Sequence, residues 1–173
     1  MELLHTTAEH QVALFQSAAL NETHLQPTYR RWVAWAAALA SKDDAVVQLI
    51  SRHIEPLQPD EQYALEHALN RMAVTNPYFF SRQFFAPNAG GSLEVLAMPP
   101  FASLGIENET AYHYACIAIS MINGGYACYQ SHMSSLLQAG ETDAAIDQAM
   151  RLTAAVSALC QATFNARTLA PTS

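Results

Sequence analysis

Charge is scarce in this 173-residue chain: Asp, Glu, Lys and Arg make up 13% of it, where an average soluble domain carries about a quarter. Basic residues are scarcer still. Eight Lys and Arg against fifteen Asp and Glu leave a formal net charge of −7, which repels phosphate backbones and anionic lipid and supplies no basic tract for a nucleic-acid footprint. Nucleic acid and membrane are therefore not expected partners. Long apolar runs are missing too: the stretches from Trp32 to Ala40 and from Tyr112 to Ile122 fall short of the roughly 20 residues that cross a bilayer. Met1 to His5 lack the positive region and apolar run of a secretory signal, so the expected compartment is the cytoplasm.

Cysteine is sparse and odd in number. Cys116, Cys128 and Cys160 argue against an extracellular disulfide framework, and each thiol has to be judged by its surroundings. The histidines His5, His10, His24 and His53 lack the partners and spacing of a metal site, and His67 beside Glu66 reads as a solvated or interfacial pair. Neither a metal nor a cofactor is expected.

What is abundant is apolar and helix-forming. Hydrophobic residues reach 51%, enough to build one domain over residues 1–173 and leave a surplus for a subunit interface. β-branched alternation with hairpin dipeptides is almost absent, so the fold class is all-α. A first helix is predicted from about Thr7 to Ala19, a second from Pro27, and a third from Asp43-Asp44 to about Ile54. Pro59-Asp60-Glu61 opens a fourth, expected to bend or stop at Asn76-Pro77. The Pro- and Gly-rich stretch from Ala86 to Gly105 is the main irregular connection. Asn108 caps a helix to Ile122, Asn123-Gly124-Gly125 interrupts it, another runs to Gly140, and Thr142-Asp143 starts the last. Sliding the chain over itself by 47 positions puts Asn76 on Asn123 and Glu66 on His113, a weak sign of a duplicated helical hairpin. The aromatics Tyr78, Phe79, Phe80, Phe84 and Phe85 are expected in the core or an interface, with a pocket for an apolar ligand as the alternative.

Cys128 and His132 are four apart, so on a helix they share a face and the imidazole can reach the sulfur directly or through water. Only a thiolate attacks a peroxide or disulfide sulfur, and a base, a cation or a helix N-terminus has to stabilise it near neutral pH. The Asn-Gly-Gly break places Cys128 near such an N-terminus. On spacing alone the favoured reading is a small buried cysteine with a histidine at the surface or the core edge, since free cysteine is among the most buried residue types.

The segment Ile122-Asn123-Gly124-Gly125-Tyr126-Ala127-Cys128-Tyr129-Gln130-Ser131-His132, with Leu136, Ala139-Gly140 and the helix from Asp143 to Ser157, resembles the alkyl hydroperoxidase D (AhpD) family of the carboxymuconolactone decarboxylase superfamily. The family pattern is Glu, eleven residues, Cys-x-x-Cys, three residues, His. Its second cysteine falls on Cys128 and its histidine on His132. Its first cysteine falls on Gly125 and its glutamate on His113, so CxxC has become GxxC. The motif-bearing core spans about 108–169.

The resemblance implies an all-helical homotrimer or homohexamer that reduces organic hydroperoxides. Cys128 would attack, His132 would serve as base and His113 as relay. Gly125 offers no resolving thiol, so Cys116, Cys160 or an external thiol reductant or redox partner protein must resolve a sulfenic acid on Cys128. Cys116 is the better placed internal candidate, since Cys160 reads as core. Two other readings keep the fold: a lyase or isomerase working by histidine acid–base chemistry on a small carboxylate or lactone, with Arg82 or Arg71 binding the anion, and a non-catalytic oligomeric subunit.

Overall fold

A computed structural model describes residues 8–169, so the expected helix start at Thr7, and His5, lie outside the described residues. Every regular element among those residues is helical. Helix α1 (Glu9–Phe15) runs into a π-helical stretch, Gln16–Asn21, and α2 (Pro27–Ala40) follows, opened by Pro27 at its first position. Asp43 caps α3 (Asp44–Ser51), accepting from the amides of Ala45 and Val46. Helix α4 (Pro59–Phe84) opens on a capping box between Gln58 and Glu61. Short 3-10 turns, Glu94–Leu96 and Phe101–Leu104, punctuate the long connection, and then come α5 (Glu109–Asn123), α6 (Tyr126–Gln138) and α7 (Asp143–Thr168).

Two helices are buried almost all round. On α2, Trp32, Val33, Ala34, Ala36, Ala37 and Ala38 are sealed, and on α5 the run from Ala111 to Ser120 is broken only by the half-buried His113. The alanines let α2 and α5 pack closely on each other. Helix α7 covers α2 together with α1, while α4 and α6 lie against α5. The histidine on α5 is thus a polar side chain set into a helix that otherwise buries apolar surface, facing the α4–α6 side.

Helix α4 departs from the sequence expectation. It continues through Pro77 to Phe84, although the proline contributes no N–H. The turns beyond it are tied to the next loop: Arg82 donates to the carbonyls of Ala89 and Pro87 at 3.1 and 3.0 Å, and the amide of Gly91 donates to the Tyr78 hydroxyl at 2.9 Å. The first copy of the suggested repeat is therefore one unbroken helix, whereas the second breaks at Gly124, whose φ of +69° ends α5 in the left-handed region. The break that the repeat placed at Asn76 is absent. The extension also carries Phe80, Phe84 and Phe85 away from the core; Phe84 and Phe85 are about three-quarters exposed, at 77% and 75%, and of this cluster Phe79 packs against the core. Among the described residues no helix is long and apolar enough to cross a membrane.

Candidate functional site

Three helices meet around the candidate residues. Helix α4 supplies His67, Arg71 and Thr75 at four-residue spacing, α5 supplies Tyr112, His113 and Cys116, and α6 supplies Cys128 and His132. The second 3-10 turn closes one side, with the Phe101 ring 4.9 Å from that of Tyr112 and 6.1 Å from that of His113.

His113 and His132 come together, their Nδ1 atoms 2.9 Å apart. Glu109, one turn before His113, brings Oε1 to 3.4 Å of His113 Nε2. The tautomers follow from this order. With the His113 proton assigned to Nε2, on the side of the Glu109 carboxylate, its Nδ1 accepts and His132 donates from Nδ1, which leaves a lone pair on His132 Nε2. Burial, the neighbouring His113 and the Arg71 guanidinium push His132 down to about 3, and burial lowers His113 against the pull of Glu109. Both rings are neutral at neutral pH, and His132 presents an unprotonated nitrogen. The family glutamate is replaced at position 113, yet a carboxylate reaches the same relay from Glu109.

Cys128 is the third residue of α6 and nearly buried, at 8% exposed. Its thiol is not in the state the spacing suggested. Burial pushes it up from its ordinary value, against the opposing effects of the Thr75 hydroxyl and of Arg71. His132 commits its Nδ1 to His113, and among the described residues no hydrogen bond joins His132 to the Cys128 sulfur. Cys116 is completely buried beside Tyr112, and burial drives its thiol up further than that of Cys128. Cys160 is partly buried on α7 and packs against the core.

The glycine at 125 is matched to Asn76. A Cβ built on Gly125 would stand 2.2 Å from Asn76 Cγ, 2.3 Å from its Oδ1 and 2.7 Å from its Cβ, so the carboxamide fills the space that a side chain there would need. Asn76 is sealed; its Oδ1 accepts from the Ser120 hydroxyl at 3.1 Å, and its Nδ2 has no partner. The glycine ahead of α6 and the asparagine on α4 thus occupy one space.

Arg71 is the other residue whose weight the sequence understated. It is 8% exposed, donates from Nη1 to the Pro99 carbonyl at 3.0 Å, and has no carboxylate partner among the described residues. Its positive charge acts on Cys128, Cys116, Tyr112, His132 and His67 alike. His67, read as a solvated or interfacial pair with Glu66, instead faces the Tyr112 hydroxyl at 3.4 Å. The Glu109–His113 pair was available as an i, i+4 signal; Arg71 and Thr75 reach Cys128 only through tertiary packing.

Fold and site together define an all-helical protein with a thiol and a histidine on the helix that follows a glycine break. Residues 110–170 match the model of the carboxymuconolactone decarboxylase family. Similar proteins include alkyl hydroperoxide reductase AhpD of Mycolicibacterium paratuberculosis, 25% identical over 158 residues, covering 91% of this chain and 86% of the relative. AhpD of Streptomyces coelicolor is 27% identical, covering 72% and 73%. AhpD of Caulobacter vibrioides is 35% identical over 115 residues, covering 66% and 59%. Over residues 110–170 the chain is similar to the carboxymuconolactone decarboxylase family, and over most of its length to AhpD proteins.

Proposed function

We propose that this chain is a thiol-dependent hydroperoxide reductase with a single attacking cysteine, Cys128. The observation that carries the reading is a nearly buried thiol one helical turn before a neutral imidazole that is bonded to a second histidine, in a chain whose relatives are named alkyl hydroperoxide reductase. The Cys128 proton passes to His132 Nε2, through water where the two do not touch, and the relay to Glu109 steadies the imidazolium. The thiolate attacks the outer peroxide oxygen, an S–O bond forms as the O–O bond breaks, and the leaving alkoxide takes a proton to become an alcohol. Cys128 is then a sulfenic acid. Two molecules of an external thiol restore it: the first forms a mixed disulfide and releases water, the second displaces Cys128 as a thiol and leaves the reductant as a disulfide. Cys116 is the poorer resolver because its burial holds it protonated. The exposed Phe80, Phe84 and Phe85 support assembly as a homotrimer or homohexamer, and the expected setting is the cytoplasm.

The test is brief hydroperoxide treatment with a dimedone-type trap, read by peptide mass. Cys128 should be labelled selectively, and Cys128→Ser should lose both the label and at least a hundredfold in peroxide consumption. Because burial raises the thiol, the wild-type rate should climb with pH between 7 and 9, by nearly tenfold per unit. Equal consumption by Cys128→Ser would exclude thiol chemistry. A second reading, histidine acid–base chemistry on a small carboxylate, is favoured by the neutral His113–His132 pair beside Arg71; it requires turnover of such a substrate that survives Cys128→Ser and fails in His132→Gln.

A further inference from the structure

A guanidinium has five N–H donors in a planar fork, and taking it out of water without an anion is costly. Arg71 donates in one direction only, toward Pro99, and no carboxylate balances its charge among the described residues. Among the described residues, the sealed, unpartnered side-chain atoms belong to Gln11, Arg31, Trp32 and Asn76. Arg71 is not among them, so its unused donors keep contact with accessible space although the residue is more than nine-tenths buried. Its place is fixed by its helix. His67 lies one turn before it and meets Tyr112; Thr75 lies one turn after it, bonded to the Arg71 carbonyl at 3.0 Å and beside Cys128. Pro99, which orients the guanidinium, precedes Phe101, whose ring lies against Tyr112 and His113.

A cation with free, forked donors, an apolar ring wall and a nucleophilic atom within one site match one ligand chemistry: a carboxylate on an apolar body. We propose that Arg71 is an anion-binding subsite and that the hydroperoxide this protein reduces carries a carboxylate, held by Arg71 while the peroxide faces Cys128. The substrate assignment rests on the peroxidase reading above; the subsite itself does not. Neutralising Arg71 also removes the last of the causes, after burial and His113, that hold His132 down, and with it the pull that lowers the Cys128 thiol, so a bound carboxylate strengthens the base while making the thiol harder to ionise.

Two measurements test it. In turnover, a fatty-acid hydroperoxide is compared with its methyl ester. Wild type should favour the acid in kcat/KM by about tenfold to a hundredfold, the range for a hydrogen bond to a charged group. The ratio should fall towards one in Arg71→Gln and be partly kept in Arg71→Lys. In binding, octanoate, which cannot react, is titrated calorimetrically into wild type and both variants, with circular dichroism checking that each is folded. Octanoate should bind wild type and Arg71→Lys and lose at least tenfold in affinity for Arg71→Gln. Octanoate binding without peroxide turnover supports the subsite and removes the peroxidase reading. Equal turnover of acid and ester, or octanoate binding that is unchanged in folded Arg71→Gln, overturns the subsite and leaves the peroxidase reading standing.

Discussion

Gln148 on α7 and Arg71 on α4 are both buried polar side chains on 26-residue helices, and they fare differently. Gln148 accepts from the Leu25 amide at 2.7 Å and donates to the carbonyls of Ala18 and Glu22 at 2.8 and 3.1 Å. Beside it Arg151 grips both oxygens of Glu22, at 2.6 and 2.7 Å, and that bond with the Ser17 hydroxyl holds the carboxyl down to about 2. Around Arg71 the pattern reverses: a guanidinium without an anion, an Asn76 amide without an acceptor, imidazoles kept neutral and thiols kept protonated. The first region uses buried polarity to close the chain ends of the π-helical stretch. The second leaves it unsatisfied within the chain.

Breaking the satisfied region should have the larger effect. Gln148→Met keeps the volume and strands the Leu25 amide and the Ala18 carbonyl, while Glu22 keeps Arg30 as a donor to its carbonyl. At about 1–3 kcal/mol per stranded group the loss should be about 3 kcal/mol in urea unfolding, with the rate of Cys128 alkylation unchanged.

Next comes the fit between Gly125 and Asn76. Gly125→Cys puts a side chain 2.2 Å from Asn76 Cγ and should cost about 1–3 kcal/mol, as overpacking does. Adding Asn76→Gly removes all three close contacts, and despite about 0.3 kcal/mol of lost helix propensity the double variant should be more stable than the sum of the two single ones. Only in that background should the introduced thiol form a disulfide with Cys128 on oxidation, seen as a loss of two mass units. Additive stabilities would mean that Asn76 does not exclude the second thiol.

How much of this the sequence revealed depended on how local the signal was. Pro27, Asp43, Asn108 and Thr142 mark helix starts because a cap acts within its own turn, and each stands at the start of its helix. The glycine break and the Cys128–His132 spacing were legible for the same reason. Pro77 misled because local propensity says stop while the bonds of Tyr78 and Arg82 to a later loop say continue. The state of Cys128 was illegible: a helix N-terminus argues for a thiolate, burial argues harder for a thiol, and burial is set by α4 and α5. Arg71, Thr75 and Asn76 entered the site from 52 or more positions away in the chain, where no spacing rule reaches.

Acid should sharpen the contrast in smaller steps. His132 is held at about 3 when folded against an ordinary 6.5, and His67 and His113 are lowered as well. Below pH 6.5 the unfolded chain therefore takes up protons that the folded chain refuses, so stability falls as pH falls, by up to about 1.4 kcal/mol per unit for each proton. The depressed carboxyls of Glu22, Asp43 and Glu61 act only below their own ordinary range, nearer 4.5 and under, which leaves the window from 6.5 to 5 to the histidines. Urea midpoints measured across that window should slope less steeply in His132→Gln than in wild type; identical slopes would place the depressed imidazole elsewhere.

The smallest effect should come from Arg71→Met. It deletes a buried charge that no carboxylate balances, giving up one bond to the Pro99 carbonyl, worth about 1.5–3 kcal/mol for a charged donor, while sparing the desolvation of the guanidinium. The two terms are of similar size, so the change in unfolding free energy should lie within about 1 kcal/mol of zero, in either direction, where Gln148→Met is clearly destabilising. A large loss would mean that Arg71 is chiefly a prop for the loop at Pro99. A neutral or stabilised variant that no longer binds octanoate would show a residue kept, against the interest of the fold, for what it holds, the trade that distinguishes a site from a core.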